Sequence, residues 1–244
     1  MEVHHHPELH HKTKKFKEYF LEFLMIFLAV TLGFFAESLR EHISEKEKAD
    51  VFARSLYADF KSDTASLHQL MTFTESKIMA IDSLDYFIHL PRQRINDSTL
   101  YIGILFLAST FQFDNINGTY EQIKNSGSLR FFDQSLVNLM NSYDATSLKL
   151  KLMEDWENKV LFEQVLPKTS RMFNFSVFND LRNKGNINHE MYFREMDDGS
   201  VFVLLNQSQI IKRLRERQFN QHKLLLQKAN EILGELKKEY DLDK

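Results

Sequence analysis

Apolar positions along this chain fall into distinct patterns, and each predicts a different element. From Tyr19 to Ala36 the residues read YFLEFLMIFLAVTLGFFA, apolar on every side of a helix, with Glu22 as the sole charge. From Leu56 onward they keep to one face instead. Leu56, Phe60, Leu67, Leu70, Thr74, Ile78, Ile81, Leu84 or Asp85, and Ile88 recur at the three-and-four spacing of an amphipathic helix. Asp63 stands where that stripe expects an apolar group, so Lys61 to Thr64 is a candidate break between two nearly collinear helices; the alternative is one unbroken helix. Leu100 to Ala108, LYIGILFLA, is apolar all round but too short for a bilayer, which takes about 20 residues, and reads as a buried helix at the centre of the fold.

The later elements follow from the same spacing and from turn chemistry. A short helix, Tyr120 to Lys124, ends at Ser126-Gly127 in the manner of a glycine C-cap. Asp133 opens a helix from Gln134 to Leu166 that Pro167 terminates, with Leu136, Leu139 or Met140, Tyr143, Leu148, Leu152, Trp156, Val160 and Val165 on its buried side. Between Lys168 and Asn206 the pattern breaks up. HEMYFREMDDGSVFVLLN admits a hairpin turning at Asp198-Gly199 or two short helices, and the helical reading is preferred. The last helix, Gln207 to Tyr240, has Ser208 as a candidate cap and Ile211, Leu214, Leu225, Ala229, Ile232 and Leu236 on one side. Gln218 and His222 interrupt that side, which suits a packed bundle better than a long two-stranded coiled coil.

Composition sharpens this into a fold class. Only 7 Gly and 3 Pro occur in 244 residues, and neither type falls between Phe34 and Leu90. A sandwich or barrel needs a turn every ~8–12 residues, so an all-β fold is excluded. The expectation is all-α: an N-terminal transmembrane helix continuing into a long stalk helix, then an antiparallel, bundle-like helical body. The glycines are too scattered for a dinucleotide fingerprint or a phosphate-binding loop. Cysteine is absent, which removes disulfides, thiolate metal sites and cysteine nucleophiles. A net charge of −3 without a basic stripe gives no nucleic-acid footprint.

Charge around the apolar run sets the expected topology. Lys12, Lys14, Lys15 and Lys17 precede it, whereas Arg40 is the only basic residue closely after it, among Glu37, Glu41, Glu45 and Glu47. The positive-inside rule then places the N-terminus in the cytoplasm and the body on the far side. Signal cleavage is disfavoured, because Phe34-Phe35-Ala36 puts a bulky residue where a small one is needed. The expected organisation is a cytoplasmic His/Lys-rich tail (1–18), a transmembrane helix (19–36), a stalk and long helix (37–90) and a periplasmic helical body (91–244). Glu22 lies roughly 4.5 Å inside Tyr19 along a helix, close enough for its carboxylate to reach the interface. Its sharper reading is a helix–helix contact in an oligomer, with Gly33 allowing close approach.

Chemistry is otherwise thin. No H-E-x-x-H, G-x-S-x-G or EF-hand loop can be written, and His42, His68, His89, His189 and His222 share no ligand spacing. The N-terminal histidines are interrupted by Pro7, and no specific metal site is assigned to them; a metal-responsive role is the weaker option. No catalytic residue, cofactor or metal is assigned, and the chain reads as a non-enzyme. The expected partners are the lipid bilayer and either another protein or further copies of the chain. The alternative function is a subunit of an oligomeric membrane channel or transport accessory with Glu22 at the helix–helix interface.

Two segments carry a resemblance. EFLMIFLAVTLGFFAESLREH, from Glu22 to His42, followed by NGTYEQIKNSGSLRFFDQSL, from Asn117 to Leu136, resembles an uncharacterised family of single-pass membrane proteins of Gram-negative bacteria. In that family an acidic residue opens the hydrophobic segment, and Glu22 matches it. The resemblance implies location and topology; no activity comes with it.

Overall fold

The computed structural model describes residues 15–90, 97–177 and 197–242. These residues are all-α, with no strand among them. Contacts divide the chain into two compact units, the first ending at Asp50 and the second running from Val51 to Lys244.

Helix α1, Phe16–Ile88, is continuous, and the break considered at Lys61 to Thr64 is not present. Its first turn is closed by Glu18, whose carboxylate accepts the Lys15 backbone N–H at 3.2 Å, the acidic half of a capping box. From Phe16 to Phe35 the apolar residues stay exposed on every side: Phe20, Phe23, Phe27, Leu32 and Phe35 are all solvent-facing. Among the described residues α1 is the one helix long and apolar enough to cross a membrane, and the apolar stretch that qualifies it is not buried at all by the protein.

The second unit is a helical body. It consists of α1 from Val51, α2 (Asp97–Ala108), α3 (Gly118–Asn125), a 3-10 turn (Ser128–Phe131), α4 (Gln134–Val160), a π-helical turn (Leu161–Val165), α5 (Leu166–Met172) and α6 (Asp198–Tyr240). Three long helices build it, and their cross-links fix direction. Tyr57 meets Lys237, and Asp82 meets Lys212, so α1 and α6 run antiparallel. Glu157 meets Arg215 and Ser142 meets Lys228, so α4 and α6 do too.

Each long helix carries a buried line spaced in alternating fours and threes. On α1 the buried or half-buried line is Ala53, Leu56, Phe60, Asp63, Leu67, Leu70, Thr74, Lys77, Ile81, Leu84 and Ile88. On α4 it is Leu136, Met140, Tyr143, Ser147, Leu150, Glu154 and Glu157, continued by Leu161 in the π turn. On α6 it is Leu204, Ser208, Ile211, Arg215, Gln218, His222, Leu225, Ala229, Ile232 and Leu236. This is the spacing that lets side chains of neighbouring helices interlock.

Four expectations are corrected here. Leu148, Leu152 and Trp156 face solvent, 58%, 71% and 58% exposed, because the buried line of α4 passes through Ser147, Leu150, Glu154 and Glu157. Pro167 does not end the helical path. The π turn before it resets the hydrogen-bond ladder, with the Leu166 N–H bonding Leu161, and α5 continues to Met172. Ser208 is no cap; it lies inside α6 and bonds back to the Leu205 carbonyl, while Asp197 caps the helix by accepting the Ser200 N–H at 2.7 Å. Helix α2 is buried on one side only, since Ile102 and Leu105 face outward.

The hairpin considered at Asp198-Gly199 is likewise absent, those residues forming the first turn of α6; residues 178–196 lie outside the described residues. Gly127 sits at φ 71° beyond α3, the left-handed position that the glycine C-cap requires.

Candidate functional site

The apolar core of the body is in two parts. One gathers Ala53, Leu56, Phe60 and Leu67 with Leu136, Met140, Leu225 and Ile232. The other gathers Ile81 and Leu84 with Leu100, Ile104, Leu161, Leu204 and Ile211. Along each long helix the buried positions between these two clusters are largely polar. Lys77 on α1, Glu154 and Glu157 on α4, and Arg215, Gln218 and His222 on α6 form a buried charged layer.

Arg215 is fully buried and makes four hydrogen bonds. Its Nε donates to Glu157 Oε1 at 2.8 Å, and its terminal nitrogens donate to the carbonyls of Phe106, Leu107 and Ser109, each at 2.9 Å. Phe106 and Leu107 belong to the last turn of α2 and Ser109 follows it; at such an end the helical ladder leaves carbonyls to be bonded from outside, and a cation is favoured by the helix dipole. The guanidinium therefore ends α2 from another helix, in a chain whose α2 has no basic residue in its own last turn. Burial lowers the proton affinity of Arg215, and Glu157 opposes that shift.

Glu154 performs a related task for the segment that follows. The stretch from Ser109 to Asn117 is not helical, so its backbone groups need partners from elsewhere. Glu154 accepts the Phe113 N–H through both carboxylate oxygens, at 3.1 and 3.3 Å. Asp63, on α1, accepts the Ile116 N–H at 2.9 Å and the Tyr143 hydroxyl at 2.6 Å. Desolvation raises the pKa of Asp63 while both hydrogen bonds oppose the rise, and the burial of Tyr143 beside that carboxylate pushes its hydroxyl well above the ordinary phenol range. One polar group from each long helix thus anchors the same connecting segment.

Two members of the layer lack such partners. Lys77 Nζ sits over the rings of Phe73 and Phe111, 4.8 and 5.2 Å from their centroids. Desolvation first, and Arg215 second, lower its pKa to about 8. His222 is buried with neither ring nitrogen hydrogen-bonded; Nε2 lies 3.8 Å from Glu154 Oε1, too far for a bond.

The residues singled out from the sequence lie elsewhere. Glu22 is half-buried on α1, Gly33 is exposed with open space around it, Lys15 precedes the first turn and Lys17 lies within it. Lys12 and Lys14 fall outside the described residues, as do the N-terminal histidines. No cluster of three or more His, Asp or Glu side chains suited to a metal ion occurs among the described residues. Sequence reasoning missed Lys77, Glu154, Glu157 and Arg215. The signal available was charge of opposite sign at core spacing on three different helices, with Gln218 and His222 as the part that was noticed.

The described residues are all-α, with one membrane-capable helix among them and a helical body carrying buried charge. Comparison with protein-family models, with curated proteins and with solved structures found no match.

Proposed function

We propose that this chain is a non-enzymatic, single-pass inner-membrane protein whose helical body stands in the periplasm as an interaction, scaffold or sensing module. The observation that carries the reading is the exposure of apolar side chains on every side of α1 from Phe16 to Phe35, a surface that water disfavours and lipid accepts. Four lysines before the apolar run, against Arg40 alone closely after it, support a cytoplasmic N-terminus. The resemblance of residues 22–42 and 117–136 to a family of single-pass membrane proteins supports the same location.

Protease treatment of sealed spheroplasts carrying a C-terminally tagged chain tests the topology. Loss of the tag without lysis is expected, and its full protection would overturn the periplasmic placement.

Glu22, the one charge within the apolar run, is the basis of the channel alternative. Crosslinking in native membranes separates the two: a Glu22→Gln variant that loses both oligomer and ion conductance favours the channel, and unchanged assembly favours the anchor.

A further inference from the structure

We infer that α1 carries a self-association surface, a heptad stripe that runs from the apolar stretch into the charged stretch after it and packs against the same stripe of a second, parallel copy. The inference rests on the single-pass reading above, because two copies threaded the same way through one membrane are parallel and present the stripe at the same depth. It names the partner and the face, which that reading leaves open.

The repeat is read by sevens. Counting back from Ile43 gives Ala36 and Ala29, and counting back from Leu39 gives Leu32 and Met25, so the first set takes the a positions of a heptad and the second the d positions. Leucine at d with isoleucine at a favours two strands, and small residues such as alanine let helices approach closely within a bilayer. Counted on, the a positions reach Glu22, near the start of the run, where a carboxylate can still turn toward the interface.

Beyond the apolar run the pattern is selective. Between Glu37 and Lys48 the chain has two apolar residues, Leu39 and Ile43, and both fall on the repeat. Glu37, Glu41, Glu45 and Lys48 fall at b, f, c and f, away from it. Leu39 and Ile43 are 54% and 51% exposed, so the chain does not cover them itself. Ile43 lies roughly 10 Å past Ala36 along the helix, farther out than the lipid that solvates the run.

The flanking residues choose the occupant. In a parallel pair a d side chain enters a hole on the facing helix that includes its e residue. Lys46 is the next d and Glu47 the adjoining e, so each copy sets a lysine beside the other's glutamate, twice by symmetry. Nearer the membrane, Phe35 at g meets the e residue Arg40 of the copy, a ring against a guanidinium whose bonds to Glu37 lie outside the pair. Gly33, with open space where a Cβ would stand, adds room at an e position inside the run. A different protein would need this spacing and these charges at the same depth; a second copy has both by identity.

The chain has no cysteine, so single cysteines report without background. The full chain is placed in native membranes with one substitution at a time, Leu39→Cys, Ile43→Cys, Glu41→Cys or Glu45→Cys, and oxidised with copper phenanthroline. A disulfide needs Cα atoms within about 7 Å, which a and d positions meet across a parallel pair and c and f positions do not. Leu39→Cys and Ile43→Cys are expected to form linked dimer at least about fivefold faster than Glu41→Cys and Glu45→Cys. Adding Ile43→Glu to Leu39→Cys sets two carboxylates against each other in one layer and removes that advantage. Equal dimer at all four positions, none at the first two, or adducts of other sizes in its place overturns the inference. Alkaline carbonate extraction of the same membranes reads the anchor separately. Release of the chain sinks the single-pass reading and the pairing with it, whereas a retained chain without the crosslink pattern sinks the pairing alone.

Discussion

The two parts of α1 contain similar kinds of residue and meet opposite fates. Up to Asp50, Phe20, Phe23, Leu28 and Phe34 are exposed; from Val51, Leu56, Phe60, Leu67 and Ile81 are buried by other helices. Apolar content does not separate these stretches. Arrangement does: the first gathers most of its apolar groups into one run, Tyr19 to Ala36, that covers the whole circumference, while the second confines apolar groups to one line and surrounds them with Lys61, Ser62, His68 and Gln69. A helix that is apolar all round asks for a solvent as apolar as itself, and one with a stripe asks for another stripe. The second part can also carry Asp63 and Lys77 within its line, because partner helices and the connecting segment satisfy or screen them.

The most forceful way to break this contrast is truncation of one leucine in each part. Leu67→Ala, at a fully buried position, lowers the stability of the body by about 2–5 kcal/mol in urea unfolding followed by circular dichroism, whereas Leu28→Ala leaves that midpoint where it was. Comparable losses from both would show that the two parts share one kind of environment. Next in size, Leu28→Arg places a charge near the middle of the apolar stretch at about 2.5–3.5 kcal/mol. The chain then shifts from the membrane pellet to the soluble or degraded fraction, and undiminished membrane retention would remove the basis for an anchor.

A smaller effect, of opposite sign, comes from Lys77. Free lysine titrates near ~10.4, and burial brings this amine down to about 8. Between those values the unfolded chain binds a proton that the folded chain has released, so this site's contribution to stability rises with pH across that window and is flat below it. Lys77→Met removes the buried cation. The variant is about 1–3 kcal/mol more stable near neutral pH and lacks the rise between pH ~8 and ~10.4. A destabilised variant would mean that the ammonium holds Glu154 and Glu157 in place more firmly than its own desolvation disfavours it. Least of all, Glu37→Ala removes an exposed pair with Arg40 in the first unit, and thermal unfolding of the body does not change.

Much of the fold was legible because most of each buried line is apolar. Leu56, Phe60, Leu67, Ile81 and Leu84 were readable on α1, as were Ile211, Leu225, Ala229, Ile232 and Leu236 on α6. Reading failed where polarity and burial part company. On α4 the apolar Leu148, Leu152 and Trp156 drew the stripe off its true line, since a single helix gives no reason to bury Glu154 and Glu157. That reason lies on α6, in Arg215, and in a backbone N–H at Phe113. Pro167 misled in a related way: a helix-ending residue was accommodated by a π turn whose Gln164 carbonyl accepts Gln207 at 2.9 Å, a contact from a distant part of the chain. The candidate layer was visible only as Gln218 and His222 standing out of pattern, because its meaning depends on three helices being side by side.

Trp156 is the only tryptophan in the chain, and it stands on the outward side of α4. Its indole is therefore an emitter already bathed in water while the protein is folded. Denaturation changes its colour little, which makes intrinsic fluorescence a poor gauge of folding for this molecule. The same placement makes it a sensitive one for anything that settles on that side of α4, because a blue shift then has a single source.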